Sequence, residues 1–337
     1  MQIKVTPLHS GPIKTDLPAW ARGDLTTELA VHLADRAAEI LKKYVGPAVH
    51  DSLFVQDTVL LRSHHQAASN RQPVGDLYNQ TTIGALLRRQ RGTIELCRRI
   101  VLLEELRKLE AFQHHLAYIR TAAPSVAAPM SDYDKMSEAQ RNGTRLLYEF
   151  IVASGIAING DIQIGLANAK DTSQTNPDIL CDFHIDGIAC KACGTRNPIT
   201  VMDRLLEGAR QIGKSSARRG IVFINLTSCI DHEVLFPRDA SEFGVYNDPK
   251  HAENAVQDAL SNWGQEILGA LSEDIYEQYA AQCNQRAFVL TAQTCLVVKH
   301  RLGNVPFGFS AFSLVGRGKR INADMEAAQS LAQWALG

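Results

Sequence analysis

The run Asn176-Pro-Asp-Ile-Leu-Cys-Asp-Phe-His-Ile-Asp-Gly-Ile-Ala-Cys-Lys191 restricts the fold of this chain more than any other stretch. Asp186-Gly187 stands between two alternating segments, the pattern of a two-residue hairpin turn. The turn sets a register: Ile185 opposite Ile188, His184 opposite Ala189, Phe183 opposite Cys190 and Asp182 opposite Lys191. Strand side chains alternate between the two faces of a sheet. One predicted face therefore carries Cys181, Phe183, Ile185, Ile188 and Cys190, all suited to a core. The other carries Asp178, Leu180, Asp182, His184, Ala189 and Lys191, a row of acids and a lysine.

The surroundings suit an α/β fold. Before residue 135 the pattern is helical: Leu25, Leu29, Leu33, Ala37 and Leu41 recur at helical spacing behind Asp24, and a second stripe runs from Thr81 to Leu116, long enough to leave a break near Gly92 open. Residues 62–80 are polar, contain Pro and Gly, and read as a loop. TAAPSVAAPMSD (121–132) reads as a linker. A helix from Ser137, strands in DIQIGLA, PDILCDFHI, GIACKA and GIVFINLT, and a helix over 200–214 follow. Beyond Arg238, one helical stretch (250–282), a strand (286–299) and a closing helix (323–336) are predicted. The division is a helical N-terminal domain over 1–130 and an α/β domain over 131–337.

Composition removes several classes of function. At 45% hydrophobic and 21% charged residues the chain is ordinary globular material, and its net charge of −1 excludes binding to nucleic acid by bulk positive charge while leaving room for a local basic groove. No apolar run approaches the ~18 residues that span a membrane. Seven scattered cysteines and a polar, proline-broken start predict a reduced, cytoplasmic setting. No glycine-rich phosphate loop or serine-hydrolase elbow is present.

These residues resemble the core of PD-(D/E)XK, or restriction-endonuclease-like, nucleases over 140–228, about a quarter of the chain. Pro177-Asp178 matches the family's first acid, Lys191 its lysine, and Glu149 the acid of the preceding helix. The helix bearing Arg210-Gln211 and the strand Gly220–Thr227 follow in the family's order. The resemblance implies a mixed sheet flanked by helices and Mg²⁺- or Mn²⁺-dependent cleavage of DNA. In that chemistry Asp178, Glu149 and Asp182 are the candidate metal ligands, with Lys191 acting on water or on transition-state charge. It also implies a bacterial restriction or anti-phage setting and a helicase or ATPase partner, and leaves a homo-oligomer open. Arg204, Arg210, Gln211 and Lys214 are the candidate DNA contacts, with Arg218 and Arg219 beyond them.

The departure is Ala189, where the family carries Glu or Asp. Three accounts stand at this point: an introduced inactivating substitution, a natural alanine with Asp182 or Glu149 supplying the missing oxygen, and a nuclease-fold protein that only binds nucleic acid or scaffolds a complex. Plainer readings run alongside. Asp182 and Lys191 could form a solvated cross-strand pair, and His184 a surface polar group. Cys181, His184, Cys190 and Cys193 have zinc-like spacing, but strand alternation splits them between two faces. Arg88, Arg89, Arg91, Arg98 and Arg99 are either a solvated helix face or a phosphate-contacting one.

Overall fold

The computed structural model describes residues 4–5, 27–46, 52–69, 83–120, 137–160, 162–167, 176–195, 197–230, 245–300, 303–317 and 321–336. The linker read at 121–132 lies outside them. The helices are α1 (Thr27–Val45), α2 (Leu53–Ser69), α3 (Ile83–Glu105), α4 (Glu138–Asn159), α5 (Pro198–Gly213), α6 (Pro249–Ala270), α7 (Glu273–Cys283) and α8 (Ile321–Leu336). The strands are β1 (Lys4–Val5), β2 (Ile164–Leu166), β3 (Ile179–Cys181), β4 (Gly187–Ala192), β5 (Gly220–Asn225), β6 (Val245–Tyr246), β7 (Ala287–His300) and β8 (Gly303–Gly316).

The strands form one mixed sheet in the order β1-β8-β7-β5-β4-β3-β2, with β6 alongside β7. β4, β5 and β7 run parallel, while β2–β3, β3–β4 and β7–β8 are antiparallel. Alternation along the strands separates two cores. Ile188, Cys190, Ile221, Phe223, Val289 and Leu314 pack against α1 to α4 and α8. Ala189, Val222, Ile224, Leu290 and Val315 pack against α5, α6 and α7. The result is an α/β protein whose central sheet is covered on both faces, and its N-terminal helices share one apolar cluster with α4 and the sheet. Among the described residues no helix is long and apolar enough to cross a membrane.

Local chemistry fixes the helix ends. Ser137 Oγ accepts the Gln140 N–H at 3.2 Å while Gln140 Oε1 accepts the Ser137 N–H at 2.9 Å, a reciprocal cap at the start of α4. Ser137→Ala is expected to cost about 1 kcal/mol in urea unfolding. Asn197 and Asp248 cap α5 and α6, each with proline at the first turn.

Several sequence expectations are corrected. Residues 62–69 belong to α2 rather than to a loop. α3 passes through Gly92 unbroken and stops before Arg107, whose φ of 57° turns the chain toward the short helical turns over 109–120. The stretch 250–282 is two helices, because Ser272 leaves helical geometry to cap α7. β8 was not foreseen, although it pairs with β7 along their whole length.

The hairpin register also differs. Ile188 pairs with Ile179, not Ile185, and Leu180 pairs with Gly187. Asp186 and Gly187 serve the β5 side instead: both of their N–H groups donate to Arg219 O, and the Asp186 carboxylate accepts the N–H groups of Arg218 and Arg219. Gly187 has no positive φ, and a Cβ there would lie 2.7 Å from Ala217 Cβ. The glycine is needed for close packing rather than for a turn.

Candidate active site

Asp178 lies one residue before β3, and the Ile179–Ile188 pairing continued by one step sets it opposite Ala189. Its Oδ2 accepts the backbone N–H of Cys190 at 2.6 Å, and its Oδ1 lies 3.5 Å from Gln211 Nε2. Lys191 shares the Ala189 side of β4. Its Nζ is 3.9 Å from Asp178 Oδ2 and 3.6 Å from Glu207 Oε1, and its side chain is only 5% exposed. The ammonium therefore bridges a strand acid and a helix acid in a place nearly closed to water.

Glu149 comes from α4 and is buried. Its Oε2 lies 3.2 Å from His115 Nε2 and its Oε1 3.9 Å from Arg145 Nε. The charge of Glu149 acts on Asp178: burial first, and then Glu149, push the Asp178 carboxyl up to about 6, against the pull of Lys191 and of the Cys190 N–H. An acid held this strongly against ionisation in a partly buried site marks a functional candidate.

Ala189 is fully buried among Leu205, Ala209 and Val222. α5 comes close here because residue 208 is glycine: a Cβ at Gly208 would meet Val222 at 2.9 Å and Ala189 Cβ at 3.2 Å.

The structure brings Asp178, Lys191, Ala189 and Gln211 together, with Glu149 near enough to perturb Asp178. It does not bring in Asp182, which is exposed in the segment between β3 and β4 and gives its N–H to Gln163 O. The expected Asp182–Lys191 pairing fails because the register is displaced. His184 is likewise exposed, its ring against Phe183.

Glu207 was missed, although its spacing was readable: Arg204, Glu207, Gln211 and Lys214 recur at three and four residues and share one helix face. Arg204 is half exposed and holds Glu207 Oε2 at 2.6 Å. Arg210 is exposed, off that stripe, and donates to Leu206 O. Lys214 is exposed at the end of α5. Arg218 and Arg219 are paired with Asp186 and Asp324. His115 was also missed, since nothing local in the sequence joins it to Glu149.

Part of the arginine-rich face of α3 turns inward. Arg99 is 2% exposed, bonded to Ile151 O at 2.8 Å and paired with Glu95, so it cannot reach a phosphate. Cys193 lies in the α5 core, whereas Cys181 and Cys190 lie in the α4 core, so those thiols cannot share one ion.

Among the described residues no three His, Cys, Asp or Glu side chains are grouped so as to hold a metal. No protein-family model, curated protein or solved structure matches the chain.

Proposed function

We propose that the buried polar cluster between α5 and the β3–β4 pair is the active site of a Mg²⁺- or Mn²⁺-dependent DNA nuclease on a restriction-endonuclease-like core, working in a restriction or anti-phage setting. The observation that carries this reading is the convergence of Asp178 and Lys191, 3.9 Å apart with side chains 13% and 5% exposed. A surface pair would be solvated; this one is enclosed, and burial, then Glu149, pushes its acid toward the neutral form.

The donor set suits a hard divalent ion. Carboxylate and amide oxygens line the site, the Cys190 side chain turns to the opposite core, and the acids outnumber the one buried cation. Asp178 would be a ligand, with Glu149 the acid from the preceding helix. When bound, such an ion neutralises charge on a scissile phosphate and makes a coordinated water more acidic. Lys191 supplies a buried ammonium, where low dielectric strengthens its pull on charge developing on a phosphate oxygen. Hydrolysis joins the water oxygen to phosphorus and releases the sugar oxygen with a proton. Arg204 on α5 and Lys214 at its C-terminal cap, both exposed, would hold flanking phosphates.

With Mn²⁺ or Mg²⁺ the purified chain is expected to nick duplex DNA, Ala189→Glu to do so faster, and Lys191→Ala to lose roughly 10²–10³-fold in rate. Absence of cleavage by both the unaltered chain and a folded Ala189→Glu variant overturns the reading. The missing carboxylate at Ala189 favours a second one, a silent nuclease fold that binds DNA or scaffolds a partner; salt-dependent DNA binding without cleavage by either chain would establish it.

A further inference from the structure

Without a carboxylate at 189 the strand is one oxygen donor short, and the exposed position of Asp182 removes it as a replacement. A different acid stands beside Lys191. Glu207 Oε1 is 3.6 Å from the same Lys191 Nζ that lies 3.9 Å from Asp178. One helical turn on, Gln211 is 8% exposed and turns its Nε2 toward Asp178, while its Oε1 has no hydrogen-bond partner among the described residues.

A buried amide oxygen left unpaired carries a free-energy cost and calls for an explanation. Reversing the amide does not help, because the oxygen would then face the Asp178 carboxylate. Beside two carboxylates, a free carbonyl-type oxygen completes a set of hard donors that suits a divalent cation. Mg²⁺ and Mn²⁺ sites commonly use one or two carboxylates and keep several waters, so three protein oxygens suffice.

We infer that Asp178, Glu207 and the Oε1 of Gln211 form the divalent-cation site of this chain, Glu207 on α5 standing in for the strand acid absent at Ala189. The inference rests on the nuclease reading for its chemistry, but cation binding is measurable without it. Arg204 engages Oε2, leaving Oε1 on the Lys191 side. Lys191, which bridges the two acids, would be freed by a bound cation to donate to a phosphate oxygen.

Mn²⁺ titration of the full chain, followed by electron paramagnetic resonance, tests this alongside DNA cleavage. Glu207→Gln is expected to weaken Mn²⁺ binding by more than about tenfold and Gln211→Leu by a smaller factor. Placing Ala189→Glu in the Glu207→Gln background is expected to restore both binding and cleavage, which a merely structural role for Glu207 would not predict. Circular dichroism confirms that each variant is folded. Wild-type Mn²⁺ affinity and cleavage in Glu207→Gln would overturn the inference and leave the nuclease reading standing. So would an unaltered chain that is inert while Ala189→Glu binds and cleaves. If no folded variant binds Mn²⁺ or cleaves, both fall.

Discussion

Asp178→Asn is expected to abolish cleavage and, in the same molecule, to stabilise the metal-free fold at pH 7. The carboxyl is pushed up to about 6 by burial and by Glu149, from an ordinary value of 3.8. Because the folded value lies above the unfolded one, the sign is fixed. Below about pH 4 both states hold the proton and there is no penalty. Between about 4 and 6 the folded state keeps a proton that the unfolded state has lost, so stability falls as pH rises. Above 6 both are ionised and the penalty is fully present. Relief of that penalty is on the order of 1–3 kcal/mol. Asparagine keeps the bond to the Cys190 N–H, and Lys191 keeps Glu207 as its counter-ion. Its Nδ2 takes the place of the Oδ1 that faces Gln211 Nε2, so the Gln211 amide must reverse and turn Oε1 toward it. Urea unfolding in chelator from pH 4 to 8 checks this: the wild type should lose stability across the window, and the Asn variant should lack that slope. Mn²⁺ should then stabilise the wild type and not the variant, since a ligand stabilises only the state that binds it. A variant less stable than wild type at pH 7 would mean that Asp178 is a structural partner of Lys191.

Why Asp178 and Lys191 could be paired from the sequence, while their partners could not, follows from sheet geometry. Ile188 meets Ile179 rather than Ile185, a shift of six residues. An even shift preserves which face each side chain takes. Asp178, Ala189 and Lys191 therefore stayed on one side although the turn was misplaced. Asp182 did not survive, because the same shift put it beyond the paired strand. The turn failed for a reason invisible locally: Asp186-Gly187 is satisfied by Arg218 and Arg219, thirty-odd residues away in sequence. His115 and Glu149 are likewise joined only by the packing of the 109–120 turns against α4. Glu207 is the instructive omission. It shares a helix stripe with Gln211 and Arg204, but an acid next to an arginine on an amphipathic helix reads as a surface ion pair until Lys191 is seen beside it. Helix existence was legible wherever apolar periodicity was strong; helix ends depended on single residues such as Ser272 and Arg107.

Gly155→Ala is expected to cost about 3 kcal/mol or more and to loosen α8 from α4. Gly155 sits in the middle of α4, where alanine would ordinarily improve helix stability by up to ~1 kcal/mol. Space decides otherwise. A Cβ at 155 would lie 2.2 Å from the backbone oxygen of Ala335 and 2.6 Å from that of Trp334. Backbone cannot rotate away as a side-chain tip can, so the helices must separate. Separation breaks the Asn159 Nδ2 bond to Trp334 O, 2.8 Å, and uncovers Ala328, Ala332 and Ala335, all fully buried at this crossing. Overpacking of this kind exceeds the propensity gain. The comparison that isolates the cause is Gly269→Ala near the end of α6, where an added Cβ meets nothing within 4 Å. That variant should be neutral or slightly more stable, whereas Gly155→Ala should unfold at lower urea and release α8 to trypsin sooner. Glu149 lies on α4 six residues from Gly155, about 9 Å along the helix axis, so a displaced α4 should also weaken the Glu149–Asp178 interaction. The part of the Asp178 rise that Glu149 causes would then shrink, and the pH slope between about 4 and 6 should become shallower in Gly155→Ala while remaining in Gly269→Ala. Equal stability of the two glycine variants would show that the α4–α8 contact has slack that the close approach of Gly155 to Ala335 denies.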